Sequence, residues 1–355
     1  MKTIKVLIVD DSVLFRSQIQ EALKDCVEIE IVGTASNGKI AIEKMQSQEV
    51  DLITLDLEMP VLDGISTLKE MKLKNLQPKV VVFSSQSIAG ATKTLEAMHI
   101  GATDFVAKPM PDKSTLTPAQ KIKEALYPKI ISLFPGEKLT RVKTATKVAG
   151  PTIIWEALRP EIMVVASSTG GPNALVDFFS GINCEIPFPV LIAQHMPPMF
   201  TTSLAERIAK SSNKICREAV HGEVLKDNHI YLAPGDYHMK VVGDKSNPII
   251  TLDQGPQRNF VRPCADHLFE TATAIYGRHT LGVVLTGMGR DGAQGAAAIK
   301  NQHGVVLIQN QETCVVFGMP GAVFDGGHFD YSGSPQDLAS KVQQIAIHRS
   351  HTRVA

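Results

Sequence analysis

A chain of 355 residues is longer than one typical hydrophobic core, so two domains are expected. Apolar residues make up 44% and charged residues 20%, which excludes a disordered chain and fits an ordinary soluble protein. Lysine plus arginine and aspartate plus glutamate stand at 36 each, so the chain carries no gross electrostatic footprint for nucleic acid.

The first half alternates short apolar runs with helical patterns. "IKVLIV" is followed by "VLFRSQIQEAL", then "EIEIVGTA", "GKIAIEKMQ", "DLITLDL", "GISTLKEMK", "KVVVFSS", "AGATKTLEAM" and "DFVAKP". Strands that read as continuous apolar runs belong to a parallel sheet covered on both faces. Five βα alternations predict a doubly wound fold over residues 1–133, closed by a helix from Pro118 to Leu133. Residues 134–159, including "PGEKLTRVKTATKVAGP", read as a flexible, locally basic linker. A second α/β region follows over residues 160–350, with strand-like "IMVVAS", "FPVLIAQH", "HIYLAPG", "TLGVVLTGM" and "GVVLIQN". An antiparallel insertion is expected around Ile230 to Leu252. The five cysteines are scattered without a C-x-x-C, as reduced thiols are. The N-terminal apolar run is broken by Asp10 and Asp11, and no run is long enough to span a membrane. A cytoplasmic location, with no membrane insertion, is expected.

In an open α/β sheet, ligands gather at the carboxyl ends of the strands. In the first domain those ends carry Asp10 and Asp11, Asp56, Ser84 and Lys108. Three carboxylates at one edge repel one another and call for a hard divalent cation such as Mg²⁺. A lysine and a hydroxyl beside them suit a phosphoryl group. "VLIVDDS", "LDLEMPVLDG", "FSS" and "GATDFVAKP" resemble the receiver domain of two-component response regulators, which has a flavodoxin-like fold. The resemblance implies that Asp56 accepts the phosphoryl group from a sensor histidine kinase. It further implies that Asp10, Asp11, Asp56 and the backbone carbonyl of Glu58 hold Mg²⁺. Ser84 and Lys108 would contact the phosphoryl group, and Phe105 would occupy an aromatic switch position.

"VVASSTGGP" ends an apolar run at two serines. A nucleophile on a tight strand-to-helix turn needs small residues two before and two after it. Ser167 has Val165 and Thr169 at those positions, whereas Ser168 has Ala166 and Gly170. Ser168 is therefore the candidate nucleophile, with Gly170, Gly171 and Pro172 opening the next helix. "LIAQHMPP" places His195 just past another apolar run, and "VVLTGMGRDGAQG" places Asp291 just past a third. Serine, base and orienting acid would then meet at one sheet edge. The chain order Ser, His, Asp differs from the Ser, Asp, His order of α/β-hydrolases, so membership of that fold family is not expected.

"SSTGGP", "QHMPPMFTTSLAERI", "APGDYHM", "RPCADHLFETA" and "LTGMGRDGAQG" together resemble the catalytic domain of chemotaxis protein-glutamate methylesterases. The resemblance implies hydrolysis of glutamyl methyl esters, and deamidation of glutamines, on the cytoplasmic domains of methyl-accepting chemoreceptors. No cofactor is needed for that hydrolysis. Ser168, His195 and Asp291 would be the triad, Thr169 would help hold His195, and the Met288 N–H would serve the oxyanion hole. An unphosphorylated receiver would cover the site. Ser167 departs from the common pattern, in which alanine or another small residue precedes the nucleophile. The alternatives are a receiver-controlled module that binds receptors without cleaving them, a receiver-driven transcription factor, and a hydrolase acting on a different ester or amide.

Overall fold

The computed structural model describes residues 3–110, 115–135 and 154–352. The chain divides into two compact units, Met1–Ala145 and Thr146–Ala355. Most of the expected linker, residues 136–153, lies outside the described residues. From Ile154 onward the chain belongs to the second unit, where the Trp155 ring packs edge-on against Tyr331 at 5.7 Å.

The first unit runs β1 (Ile4–Val9), α1 (Val13–Leu23), β2 (Ile29–Ala35), α2 (Gly38–Ser47), β3 (Leu52–Asp56), α3 (Gly64–Leu73), β4 (Lys79–Ser84), α4 (Ile88–Ile100), β5 (Asp104–Ala107) and α5 (Pro118–Leu133). Its sheet has the order β2-β1-β3-β4-β5, with every pair parallel. β3 and nearly all of β1 and β4 are buried, as expected for strands covered on both faces. The helices start where the sequence offers caps. Ser12, Asn37, Asp63, Ser87 and Thr117 each accept a hydrogen bond from an otherwise unpaired N–H of the first turn. The order reverses between β1 and β3, so their carboxyl ends open a crevice beside Asp10 and Asp56.

The second unit contains β6 (Ile162–Ser167), α6 (Gly171–Ser180), β7 (Val190–Gln194), α7 (Phe200–Ser212), β8 (Ile215–Glu218), β9 (His229–Leu232), β10 (His238–Asp244), β11 (Asn247–Asp253), α8 (Ala265–Tyr276), β12 (Thr280–Val284), α9 (Ala293–Asn301), β13 (Val305–Gln309), α10 (Met319–Asp325), β14 (Tyr331–Gly333) and α11 (Pro335–Thr352). Seven strands form a parallel sheet, β14-β13-β12-β6-β7-β9-β8. The antiparallel insertion is narrower than expected. The hairpin is β10 and β11 alone, whereas Ile230–Leu232 pair in parallel with β7 inside the main sheet. α8 packs against β10 and fixes it through Val241 N–H, which donates to Thr271 Oγ1 at 3.1 Å.

The core of this unit lies on both faces of β6 and its neighbours. Ile162 to Ala166 are fully buried, as are Phe178, Phe179, Phe188, Phe200 and Phe269. Burying each such side chain contributes roughly 1.5–3 kcal/mol. β6 is flanked by β12 and β7, so the carboxyl ends of three central, rigid strands meet at one edge.

Candidate active site

Ser168 follows β6 directly, and its backbone is tied to the loop after β12 and to the last residue of β7. Its N–H donates to Thr286 O at 3.0 Å, and its carbonyl accepts from Gln194 Nε2 at 3.1 Å. His195 follows β7, and its N–H donates to Ser167 O at 3.1 Å. The peptides carrying Ser168 and His195 are thus held side by side. Asp291 lies in the loop after β12, between the strand and α9, and is only 2% exposed.

His195 Nε2 and Asp291 Oδ2 are 2.8 Å apart. The carboxylate accepts four further hydrogen bonds. Ala265 N–H donates to Oδ2 at 2.6 Å; Asp266 N–H, the Cys264 thiol and Asn259 Nδ2 donate to Oδ1 at 3.1, 2.9 and 3.0 Å. Two of these donors are first-turn amides of α8, where aligned peptide dipoles favour negative charge. Burial pushes the Asp291 carboxyl upward, but the His195 contact and these donors outweigh it and hold the carboxyl well below the usual range. Burial, and after it the same carboxylate, push the Cys264 thiol far up, so Cys264 stays protonated and remains a donor.

With Nε2 turned to Asp291, Nδ1 is the ring nitrogen left to face a substrate or a hydroxyl. Among the described residues the Ser168 hydroxyl makes no hydrogen bond, including to His195. Catalytic hydrogen bonds are often unmade without substrate. Met288 is partly exposed in the loop that contains Thr286, and among the described residues its N–H has no acceptor. Thr169 is buried, and its carbonyl accepts from Thr286 Oγ1 at 3.0 Å.

Residue pattern left three contributors unseen. Gln194, Asn259 and Cys264 all touch the triad positions, but nothing in their type announces it. For Gln194 the available signal was a polar residue closing an apolar strand immediately before the histidine. Asn259 and Cys264 act across long loops that spacing does not encode.

In the first unit, one ligand atom each from Asp10, Asp11 and Asp56 lies within 4.8 Å of the others. Lys108 Nζ reaches Asp10 Oδ2 at 3.1 Å and Asp56 Oδ2 at 2.8 Å. Burial is the largest influence on Asp56 and raises its carboxyl despite the Lys108 contact. Burial lowers the Lys108 ammonium, and its bonds to Asp56 and Asp10 more than reverse that. Ser84 Oγ lies 2.6 Å from Thr94 Oγ1 and 3.1 Å from Gly90 O. The Glu58 side chain is engaged by Lys93 Nζ at 2.7 Å. Phe105 is buried, with Lys129 Nζ 5.8 Å from its ring centroid.

Residues 163–342 match the CheB methylesterase family and residues 6–120 the response regulator receiver domain. A protein-glutamate methylesterase/protein-glutamine glutaminase of Nocardioides sp. is 39% identical over 335 residues, which is 92% of this chain and 91% of that relative. A second such protein, from Caulobacter vibrioides, is 41% identical over 328 residues, 91% of this chain and 93% of the relative. The crystal structure of the Thermotoga maritima CheB methylesterase catalytic domain superposes with a TM-score of 0.51 at 38% identity, covering 53% of this chain and all of that one.

Proposed function

Since the chain belongs to the CheB methylesterase family and carries a response regulator receiver ahead of the esterase domain, we propose that it hydrolyses glutamyl methyl esters on methyl-accepting chemoreceptors under phosphorylation control. Deamidation of receptor glutamines, which the relatives' names include, is assigned to the same site. The observation that carries this reading is the buried, five-fold hydrogen-bonded Asp291 aimed at His195 beside Ser168.

Ser168 Oγ attacks the ester carbonyl and His195 Nδ1 takes its proton. Asp291, held ionised, fixes the Nε2–H tautomer and stabilises the imidazolium. The template serine proteases use the opposite ring nitrogens, but the logic is unchanged. The Met288 N–H is the candidate donor to the tetrahedral oxyanion, a contribution of about 10²–10³ in rate where such donors have been removed. His195 returns the proton to the departing methoxide, methanol leaves, and water cleaves the acyl-enzyme by the same relay. With a glutamine, ammonia leaves instead.

In the receiver, Asp56 is the phosphoryl acceptor and a sensor histidine kinase the donor. The donor set fits a hard divalent cation: three carboxylates converge, and the Glu58 backbone carbonyl is the further ligand expected. Mg²⁺ held there would neutralise charge on the transferring group. Lys108 and Ser84 would contact the phosphoryl oxygens, for which the Ser84 hydroxyl must leave Gly90 O. Phosphorylation adds charge to an already crowded acidic edge and thereby biases the receiver's conformation.

Ser168→Ala should remove methanol release from methylated receptor and ammonia release from glutamine-bearing receptor together. Loss of one activity without the other would separate them and refute a shared site.

A further inference from the structure

Ser167 is fully buried and Gln194 is 1% exposed, yet both are polar and both sit in the most central part of the sheet. They are partners in register across β6 and β7. The Ser167 hydroxyl donates to Gln194 Oε1 at 2.6 Å. On its other side, Gln194 Nε2 donates to Ser168 O and to His195 O, each at 3.1 Å. Two carbonyls can be satisfied only by the NH₂ end of the amide, so its orientation follows from the contacts. The oxygen end is then left to the Ser167 hydroxyl, the one donor that reaches it among the described residues. The space for this arrangement is made by Gly171. A Cβ there would sit 2.1 Å from Gln194 Oε1 and 2.9 Å from Ser167 Cβ.

We propose that Gln194 is a positioning residue that straps the Ser168 peptide to the His195 peptide, and that Ser167 locks the amide in the strapping orientation. This rests on the assignment of Ser168 and His195 made above. One side chain bonds the peptides of both the nucleophile and the base, and so reinforces the His195 N–H to Ser167 O backbone bond that sets them side by side. A loosened strap leaves both catalytic side chains present but allows their spacing to drift, which costs turnover more than substrate binding. Ser167→Ala leaves Oε1 buried without its donor, which favours rotation of the amide away from one of the two carbonyls.

The test is a double-mutant cycle of Ser167→Ala and Gln194→Met in the full chain, reading kcat and KM for methanol release. Gln194→Met retains the volume and removes both donors. The expected result is a kcat loss of about threefold to tenfold for Ser167→Ala and about 10²-fold for Gln194→Met, with KM within about twofold in each case. Because the hydroxyl works through the amide, the double variant should be no slower than Gln194→Met alone. Multiplicative losses, an unchanged kcat in Ser167→Ala, or an effect confined to KM would each overturn the proposal. Should Gln194→Met not fold, Gln194→Leu, which also removes both donors, takes its place in the cycle. Methanol release by the unmodified chain and its loss in Ser168→Ala are read alongside. If those fail, the catalytic assignment is wrong; if they hold and the cycle fails, only the strap is.

Discussion

Asp291 illustrates how much chemistry a single side chain inherits from its neighbours. A carboxylate this deeply buried is costly unless its lone pairs are filled, and here His195, Ala265, Asp266, Cys264 and Asn259 fill them. Its value in the folded chain is depressed below the ordinary 3.8. Ionised Asp291 therefore stabilises the folded state fully above about pH 4, and that contribution is lost as pH falls from there toward the folded value. Asp291→Asn should flatten this part of the acid dependence in urea unfolding. It should also lower kcat by orders of magnitude, about 10⁴ where the same change was made in the template triad. An Asp291→Asn protein with wild-type kcat would show that the carboxylate is structural only.

At the scale of elements, the site is the product of one strand order. β6 lies between β12 and β7, so Ser168 and His195 directly follow adjacent strands, and Asp291 reaches His195 from the loop after β12. The turn from β6 into α6 demands Gly170, whose φ is +76°. A Cβ there would also approach Val315 Cβ to 2.7 Å. Gly170→Ala should cost at least about 1–2 kcal/mol in urea unfolding from backbone strain alone, with the steric clash added to it. A change near zero would mean the turn relaxes freely.

These central elements were legible in the sequence because their apolar runs are continuous and stop at Ala166, Ala193 and Leu285, ahead of the loops that carry Ser168, His195 and Asp291. α5 was legible because Thr117, Pro118 and Gln120 form a complete helix-start signal. β8, α10 and β14 were not. They have four, seven and three residues, too few for a period to show, and they are held by tertiary pairing rather than local pattern. The hairpin boundary was misplaced because Ile230–Leu232 and Met239–Val242 look alike in sequence. Only the β7 pairing of the first assigns it to the parallel sheet. The strap from Gln194 and the cradle of Asn259 and Cys264 escaped notice because each depends on side-chain direction at a site formed by distant segments.

For the molecule as a whole, the two proposed chemistries are carried by separate units, and the proposal gives a metal a part only in the receiver's. The three carboxylates of the receiver need a cation to accept a phosphoryl group, whereas the proposed ester hydrolysis runs on the serine, histidine and aspartate. A small-molecule phosphodonor with Mg²⁺ should raise methanol release. EDTA should remove that increase and leave the basal rate unchanged. A basal rate abolished by EDTA would point to a metal in the esterase reaction itself.

The most direct measurement is methanol release from a methylated chemoreceptor by the wild-type chain, by Ser168→Ala and by His195→Gln, each shown to be folded. The account predicts steady release by the wild type and background levels from both variants. Methanol release at the wild-type rate from folded Ser168→Ala would contradict it, because the hydroxyl proposed to attack the ester would then be dispensable.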